Sequence, residues 1–275
     1  MALPTPKENT TAIVTGASSG IGAEIARELA RRGHGLTLVA RREDRLQALA
    51  EELARAHAVR AEVIAADLTD ADSRRGLPAL VAARDLIPDI LVNNAGFTTM
   101  GHVANADRAA ELALVRTNVE AVVDLCAMFV PGMVTRHRGA VLQTASTAAF
   151  QPLPGQASYG ASKAFVLSYG RALAAELHGT GVTVTTLCPG PVETGFAEAA
   201  GMTDDEAAET LPRIMWIPAA DVARAAVEGM AAGRTVVIPG AANRVGAGLA
   251  HLAPKSLLVP LMAKRHPALK TAPTT

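Results

Sequence analysis

Short runs rich in Val, Ile, Leu and Thr alternate along this chain with longer stretches in which apolar residues recur three and four apart, and this alternation restricts the fold more than any other feature. The apolar runs lie at 12–15, 36–40, 61–66, 90–93, 140–145, 182–187 and 235–238. Helical spacing occupies 22–32, 45–55, 107–136, 158–177 and 218–232. Strands separated by helices pair in parallel, because a right-handed crossover brings the chain back across the sheet in the same direction. The expectation is an α/β fold, a doubly wound parallel sheet of about seven strands flanked by helices, in one domain over 1–239. Residues 240–275 follow as a C-terminal extension. Ligands of such sheets sit at the carboxyl ends of the strands, near the switch in strand order.

Composition narrows the function. With 275 residues, 49% of them hydrophobic, the chain can bury a large core. Its 26 basic and 26 acidic residues are interspersed and cancel, so no basic stripe exists to follow a nucleic-acid backbone. No charged start followed by an apolar run opens the chain, and no bilayer-length stretch is free of charges, which places the expected location in the cytoplasm. Cys126 and Cys188 are isolated and read as buried thiols, and the seven histidines lack metal-ligand spacing, so no metal is expected.

The first apolar run ends in Thr15, Gly16, Ala17, Ser18, Ser19, Gly20, Ile21 and Gly22, directly before a helix. A glycine-rich turn there lets backbone amides and the positive helix end approach a pyrophosphate. After the second run comes Ala40, where a free ribose is usually met by a carboxylate, and then Arg41 and Arg42. A guanidinium fork suits a ribose 2′-phosphate, although the same arginines also read as solvated charges opening a helix. Tyr159 and Lys163 stand one helical turn apart, in a chain with two tyrosines. An ammonium held beside a phenol favours the phenolate, so the pair is expected to lower the tyrosine pKa and make a proton donor.

From Thr11 to Ile238 these motifs resemble the short-chain dehydrogenase/reductase family, in its NADP-preferring form. Thr15, Gly16, Gly20 and Gly22 match its TGxxxGxG, Asn93, Asn94, Ala95 and Gly96 its NNAG, and Tyr159 and Lys163 its YxxxK. Ser146 precedes Tyr159 by the family's usual thirteen residues, Asn118 falls at the catalytic asparagine, and Pro189, Gly190, Val192 and Thr194 resemble the nicotinamide-side PG motif. The resemblance implies a Rossmann-type domain that interconverts a ketone or aldehyde with an alcohol, with NADP(H) preferred and NAD(H) the alternative cofactor. In that scheme Asp67 and Leu68 hold the adenine side, Asn94, Ala95 and Gly96 line the adenosine, and Asn93 ties neighbouring strands. Tyr159 transfers the proton, Ser146 steadies the carbonyl oxygen, Lys163 holds the nicotinamide ribose, and Asn118 organises a water.

Phe150, Gln151, Pro152, Phe196, Met202, Met215 and Trp216 are the expected pocket lining, an apolar set suited to a hydrophobic carbonyl substrate. The extension places apolar residues beside Lys264, Arg265 and Lys270, and reads as a lid or subunit contact, a membrane-surface contact, or a frayed tail. By the resemblance, the helices carrying Asn118 and Tyr159 pair between subunits, which implies a homodimer or homotetramer. An NAD-dependent alcohol or sterol dehydrogenase of the same fold and a noncatalytic NADP-binding regulator are the rival readings.

Overall fold

Every one of the apolar runs forms a strand. The computed structural model describes residues 3–193, 213–265 and 269. Its strands are β1 (Thr10–Thr15), β2 (Gly35–Ala40), β3 (Ala61–Ala65), β4 (Ile87–Asn93), β5 (Gly139–Thr144), β6 (Val182–Leu187), β7 (Val192–Glu193), β8 (Ile217–Pro218) and β9 (Val236–Val237). Seven of them build a parallel sheet in the order β3-β2-β1-β4-β5-β6-β9, while β7 and β8 pair separately. The expected run at 235–238 pairs only through Val236 and Val237, as a short edge strand against Thr186 and Leu187.

Helices cover both faces, which is why the strands carry unbroken apolar runs. They are α1 (Gly20–Arg31), α2 (Glu43–His57), α3 (Ala71–Ala82), α4 (Arg108–Val115), α5 (Ala121–Thr135), α6 (Ala157–Glu176), α7 (Ala219–Ala231), α8 (Ala241–Leu252) and α9 (Lys255–Arg265). Alternate β1 residues divide between the two cores. Ala12 and Val14 pack with Ile25 and Leu29 of α1, Leu46 and Leu53 of α2, and Val222 and Val227 of α7. Ile13 packs instead with Leu77 of α3, Phe129 of α5 and Leu173 of α6. Each Val, Leu, Ile or Phe among them contributes about 1.5–3 kcal/mol on burial.

Two features depart from the sequence reading. The single helix expected over 107–136 is divided into α4, a π-helical turn at Arg116–Glu120, and α5. Apolar spacing does not register one extra residue in a turn, so the pattern looked continuous. Helix α3 was not foreseen, because a polar first turn, an internal Pro78 and a buried Arg74 obscure its apolar face. Asp70 caps it, accepting from the amides of Asp72 at 3.2 Å and Ser73 at 3.1 Å.

Gly170 seats α6 on the sheet, since a Cβ there would lie 2.2 Å from the Thr186 hydroxyl oxygen on β6. That hydroxyl is buried and has no hydrogen-bond partner among the described residues. Gly170→Ala should therefore lower the urea-unfolding free energy by about 1–3 kcal/mol through overpacking. Adding Thr186→Ala should recover most of that loss. Equal stability of Gly170→Ala and the parent would show that the helix does not rest on this contact.

Candidate active site

The strand order reverses between β1 and β4, so their carboxyl ends open a crevice, and one side chain knits its base. The Thr15 hydroxyl donates to the Val92 carbonyl at 3.0 Å and accepts from the amides of Asn94 at 3.0 Å and Ala95 at 3.1 Å. Asn94 Nδ2 returns a bond to the Thr15 carbonyl at 3.1 Å. The glycine-rich turn lies against this knot. Gly16 has φ +66°, and a Cβ on it would come within 2.9 Å of Ala95 Cα. Helix α1 then starts with no side-chain cap bond and no acidic residue in its first turn, which leaves its positive end uncompensated beside Ser19, Gly20 and Ile21.

At one end of the crevice the chemistry is cationic. Arg41, Arg42 and Arg45 line it together with Ser18, Ser19 and Ala40. Arg42 donates to the Ser18 hydroxyl at 3.0 Å and to the Ser19 hydroxyl at 2.8 Å, joining the turn to the start of α2. Beside them, Asp67 Oδ1 accepts from the Thr69 amide at 2.9 Å and the Thr69 hydroxyl at 2.8 Å. The Thr69 backbone bond first, then its hydroxyl and the Arg41 charge, hold the Asp67 carboxyl below its ordinary range.

At the other end α6 presents Tyr159 and Lys163 beside the 3-10 turn that follows β5. Ser146 opens that turn, its hydroxyl accepting from the Ala148 amide at 3.1 Å, and it hydrogen-bonds Tyr159. Lys163 is buried and donates to the Thr144 carbonyl at 2.9 Å, with Nζ 5.7 Å from the centre of the Tyr159 ring. Its burial lowers the ammonium pKa to about 8. Burial also raises the Tyr159 pKa, partly offset by the Ser146 bond. The expected lowering of Tyr159 by its lysine is therefore absent from the protein alone: desolvation dominates, and the ammonium is engaged by a carbonyl.

Asn118 lies behind the wall of the crevice. Held in the π-helical turn and buried, its Nδ2 donates to the Phe97 carbonyl at 3.0 Å and the Ser162 hydroxyl at 3.1 Å, and its Oδ1 accepts from the Phe97 amide at 3.2 Å. Ser162 in turn donates to the Tyr159 carbonyl at 2.7 Å. A Cβ on Gly96 would meet Asn118 Oδ1 at 3.0 Å and Lys163 Nζ at 3.3 Å, so the bare glycine lets both groups pack against its backbone. Asn93 ties strands as expected, donating to Gln143 at 3.2 Å, and both cysteines are free and buried.

The crevice encloses roughly 1070 Å³ and runs without interruption from the arginines to Tyr159. Of the residues read from the sequence as site residues, Gly16, Ser18, Ser19, Gly20, Ile21, Arg41, Arg42, Asp67, Leu68, Asn94, Ala95, Gly96, Ser146, Gln151, Tyr159, Lys163, Pro189, Gly190, Val192 and Met215 line it. Gly22 does not line it but permits it, since a Cβ there would sit 2.4 Å from the Gly16 carbonyl oxygen. Phe150, Pro152 and Trp216, also expected in the pocket, are not among the described residues that line this crevice. Phe150 turns edge-on to His251, with ring centres 6.3 Å apart, Pro152 is exposed, and Trp216 lies outside the wall that its neighbour Met215 joins. Thr194, Phe196 and Met202 lie outside the described residues. Sequence reasoning missed Arg45, Gln156, Ala247, Ala250, Leu258 and Met262. Arg45 was signalled by standing one turn after Arg41, whereas the residues of α8 and α9 carried no signal beyond apolar spacing.

Residues 10–205 match the short chain dehydrogenase family. The short chain dehydrogenase of Pseudocercospora fijiensis is 37% identical over 185 residues, which is 66% of this chain and 60% of that protein. The NADP-dependent 3-hydroxy acid dehydrogenase of Salmonella typhi is 36% identical over 203 residues, 71% of this chain and 78% of that one. Among solved structures, a short-chain dehydrogenase from Sphingobium yanoikuyae in complex with NADPH has a TM-score of 0.78 at 33% identity, covering 96% of this chain and 98% of that one. The chain spans less than two thirds of the first of these proteins and more of the others. It belongs to the short-chain dehydrogenase/reductase family, whose members are NAD(P)-dependent oxidoreductases.

Lys163 makes a pH-dependent stability prediction. Its folded pKa of about 8 lies below the ordinary lysine value, so between those values the unfolded chain binds more protons and stability rises with pH. Relative to Lys163→Met, the parent should gain on the order of 1–3 kcal/mol between pH 8 and about 10. Denaturant titrations of both proteins at the two pH values measure this gain. A parallel pH response of the two proteins would mean that Lys163 is not desolvated as described.

Proposed function

We propose that this protein is an NADP(H)-dependent oxidoreductase that interconverts a hydrophobic ketone or aldehyde with its alcohol. The observation carrying the reading is one continuous crevice with a cationic, phosphate-suited corner at one end and Ser146, Tyr159 and Lys163 together at the other. The residues fit the cofactor. Three guanidiniums and two serine hydroxyls converge where position 40 is alanine, and Gly16 and the uncapped start of α1 leave room and amides for a pyrophosphate. Arg41, Arg42 and Arg45 would hold the 2′-phosphate, Asp67 and Leu68 the adenine, and Asn94 to Gly96 the adenosine. Lys163 and the stretch from Pro189 to Val192 would hold the nicotinamide end. Bound NADPH supplies the hydride.

The protein's own groups handle the proton and the charge. Tyr159, kept protonated by burial, gives its phenolic proton to the carbonyl oxygen of the substrate as that oxygen gains charge. The Ser146 hydroxyl hydrogen-bonds the same oxygen and steadies it. Lys163, with Nζ 5.7 Å from the ring centre, offsets the charge left on the Tyr159 oxygen, which takes its next proton from solvent, and Asn118 acts as a positioning residue that fixes the Phe97 backbone and, through Ser162, the first turn of α6. Free, buried Cys126 and Cys188 support a reducing, cytoplasmic setting. Exposed Leu112, Val115, Val123 and Phe165 on α4, α5 and α6 support a homodimer or homotetramer built on those helices.

Two experiments test this reading. A panel of carbonyls and alcohols followed by NADPH absorbance should reveal turnover, and Tyr159→Phe should abolish it while leaving NADPH affinity within a few-fold of the parent. Reduction at the parental rate by Tyr159→Phe would reject the proton donor. In competitive titrations the parent should prefer NADPH over NADH by roughly ten-fold to a hundred-fold, the worth of a charge-assisted contact of about 1.5–3 kcal/mol. Ala40→Asp with Arg41→Ala should reverse the order, and an unchanged preference would remove these positions as the discriminator.

A further inference from the structure

Outside the α4 to α6 surface, most of the strongly exposed apolar side chains gather on one part of the molecule. Val245, Leu249 and Leu252 are 63%, 65% and 81% exposed and recur at helical spacing along α8. Leu257 and Leu261 of α9 are 72% and 51% exposed, and Ile214, just before β8, is 80% exposed. Isolated exposed leucines are ordinary, but a stripe of them on two consecutive helices marks a surface that meets something apolar.

The charge of the same segment indicates what it meets. From 240 to 275 the sequence holds Arg244, Lys255, Lys264, Arg265 and Lys270 and no acidic residue, although the whole chain is neutral. Arg244 directly precedes Val245, and Lys264 stands one turn beyond Leu261 on the face of α9 shared with Leu257. A second copy of this chain is a poor occupant. Across a two-fold axis the patch would meet itself, setting like charges together with no carboxylate in the segment to offset them. No helix among the described residues is long and apolar enough to cross a membrane, so the surface can lie on a bilayer but α8 and α9 cannot span it.

We propose that α8 and α9 form a docking surface for an anionic lipid bilayer, with Val245, Leu249, Leu252 and Leu257 entering the boundary between headgroups and acyl chains. Basic side chains on the same helices draw it to the negative surface. The segment is anchored for this purpose. Asn243 of α8 is buried and donates to the carbonyls of Met215 at 3.0 Å and Pro239 at 3.1 Å, and Lys255 donates to the Phe150 carbonyl at 3.2 Å. Leu261 itself and other residues of the two helices, Ala247, Ala250, Leu258 and Met262, line the crevice. Docking would therefore set the open end of the crevice at the lipid interface.

The test is cosedimentation of the full chain with vesicles of phosphatidylcholine alone or mixed with phosphatidylglycerol. The full chain should pellet with the anionic vesicles, remain largely in solution with the neutral ones, and lose most of its binding at about 1 M salt. Leu249→Ser with Leu252→Ser and Leu257→Ser should lower partitioning at least tenfold at unchanged thermal stability, because all three side chains are exposed and outside the crevice wall. Arg244→Glu with Lys264→Glu should lower it by a similar factor. Failure of the parent to bind anionic vesicles overturns the proposal, as does undiminished binding by the serine variant. If light scattering instead shows the serine variant falling to a smaller oligomer and the parent ignores vesicles, the patch is a subunit contact and the proposal is wrong. None of these readouts depends on turnover, so they stand apart from the fate of the proposed reaction.

Discussion

The hydroxyl of Thr15 holds the place where the sheet changes direction, and the crevice depends on it. Three hydrogen bonds to that oxygen join the ends of β1 and β4 at their point of divergence, and a fourth, from Asn94 to the Thr15 carbonyl, closes the knot. Only with these strand ends locked can Gly16 lie within contact of Ala95 and α1 begin where its positive end faces the gap. A bulkier residue at 16 or 22 would push the turn off this floor, since both sites lack room for a Cβ. The close approach of backbone to ligand that dinucleotide folds require is thus produced by one threonine and two absent side chains.

A second set of bonds runs beneath the crevice and connects its two ends. Arg74 of α3 is almost fully buried, donates to the Leu68 carbonyl at 2.8 Å, and pairs with Asp124 at 2.7 Å and with Glu120. Leu68 lines the crevice next to Asp67, while Glu120 closes the π-helical turn that carries Asn118. A buried guanidinium is tolerable only with its donors engaged, and here all its partners belong to segments that shape the site. From Asn118 the bonds continue through Ser162 to the first turn of α6, so the position of Tyr159 is coupled to the packing of α3.

Electrostatics divides the crevice by function. Three arginines line one corner, which suits an anionic group, and Lys163 is the cation lining the far end among the described residues, deprived of water and lowered to about 8. Around it the described wall is mostly apolar, with Leu153, Met215, Ala247, Ala250, Leu258, Leu261 and Met262 beside the polar Gln151 and Gln156. Charge is concentrated at one end and withdrawn from the other, where the lower polarity strengthens each remaining hydrogen bond.

Local chemistry determined much of this protein. Parallel strands buried on both faces need unbroken apolar runs, so all seven strands were legible, and the placement of the glycine turn, Arg41, Arg42, Tyr159 and Lys163 around one crevice was legible because residue type at short spacing marks them. What remained hidden depends on contacts between distant segments. The π-helical turn keeps helical periodicity while changing register, and Arg74 resembles a surface arginine until α5 closes over it. The tyrosine pKa is the clearest case. Spacing alone predicts that Lys163 lowers it, but burial raises both the phenol and the cost of the ammonium, because desolvation belongs to the packed interior and to no single stretch of sequence.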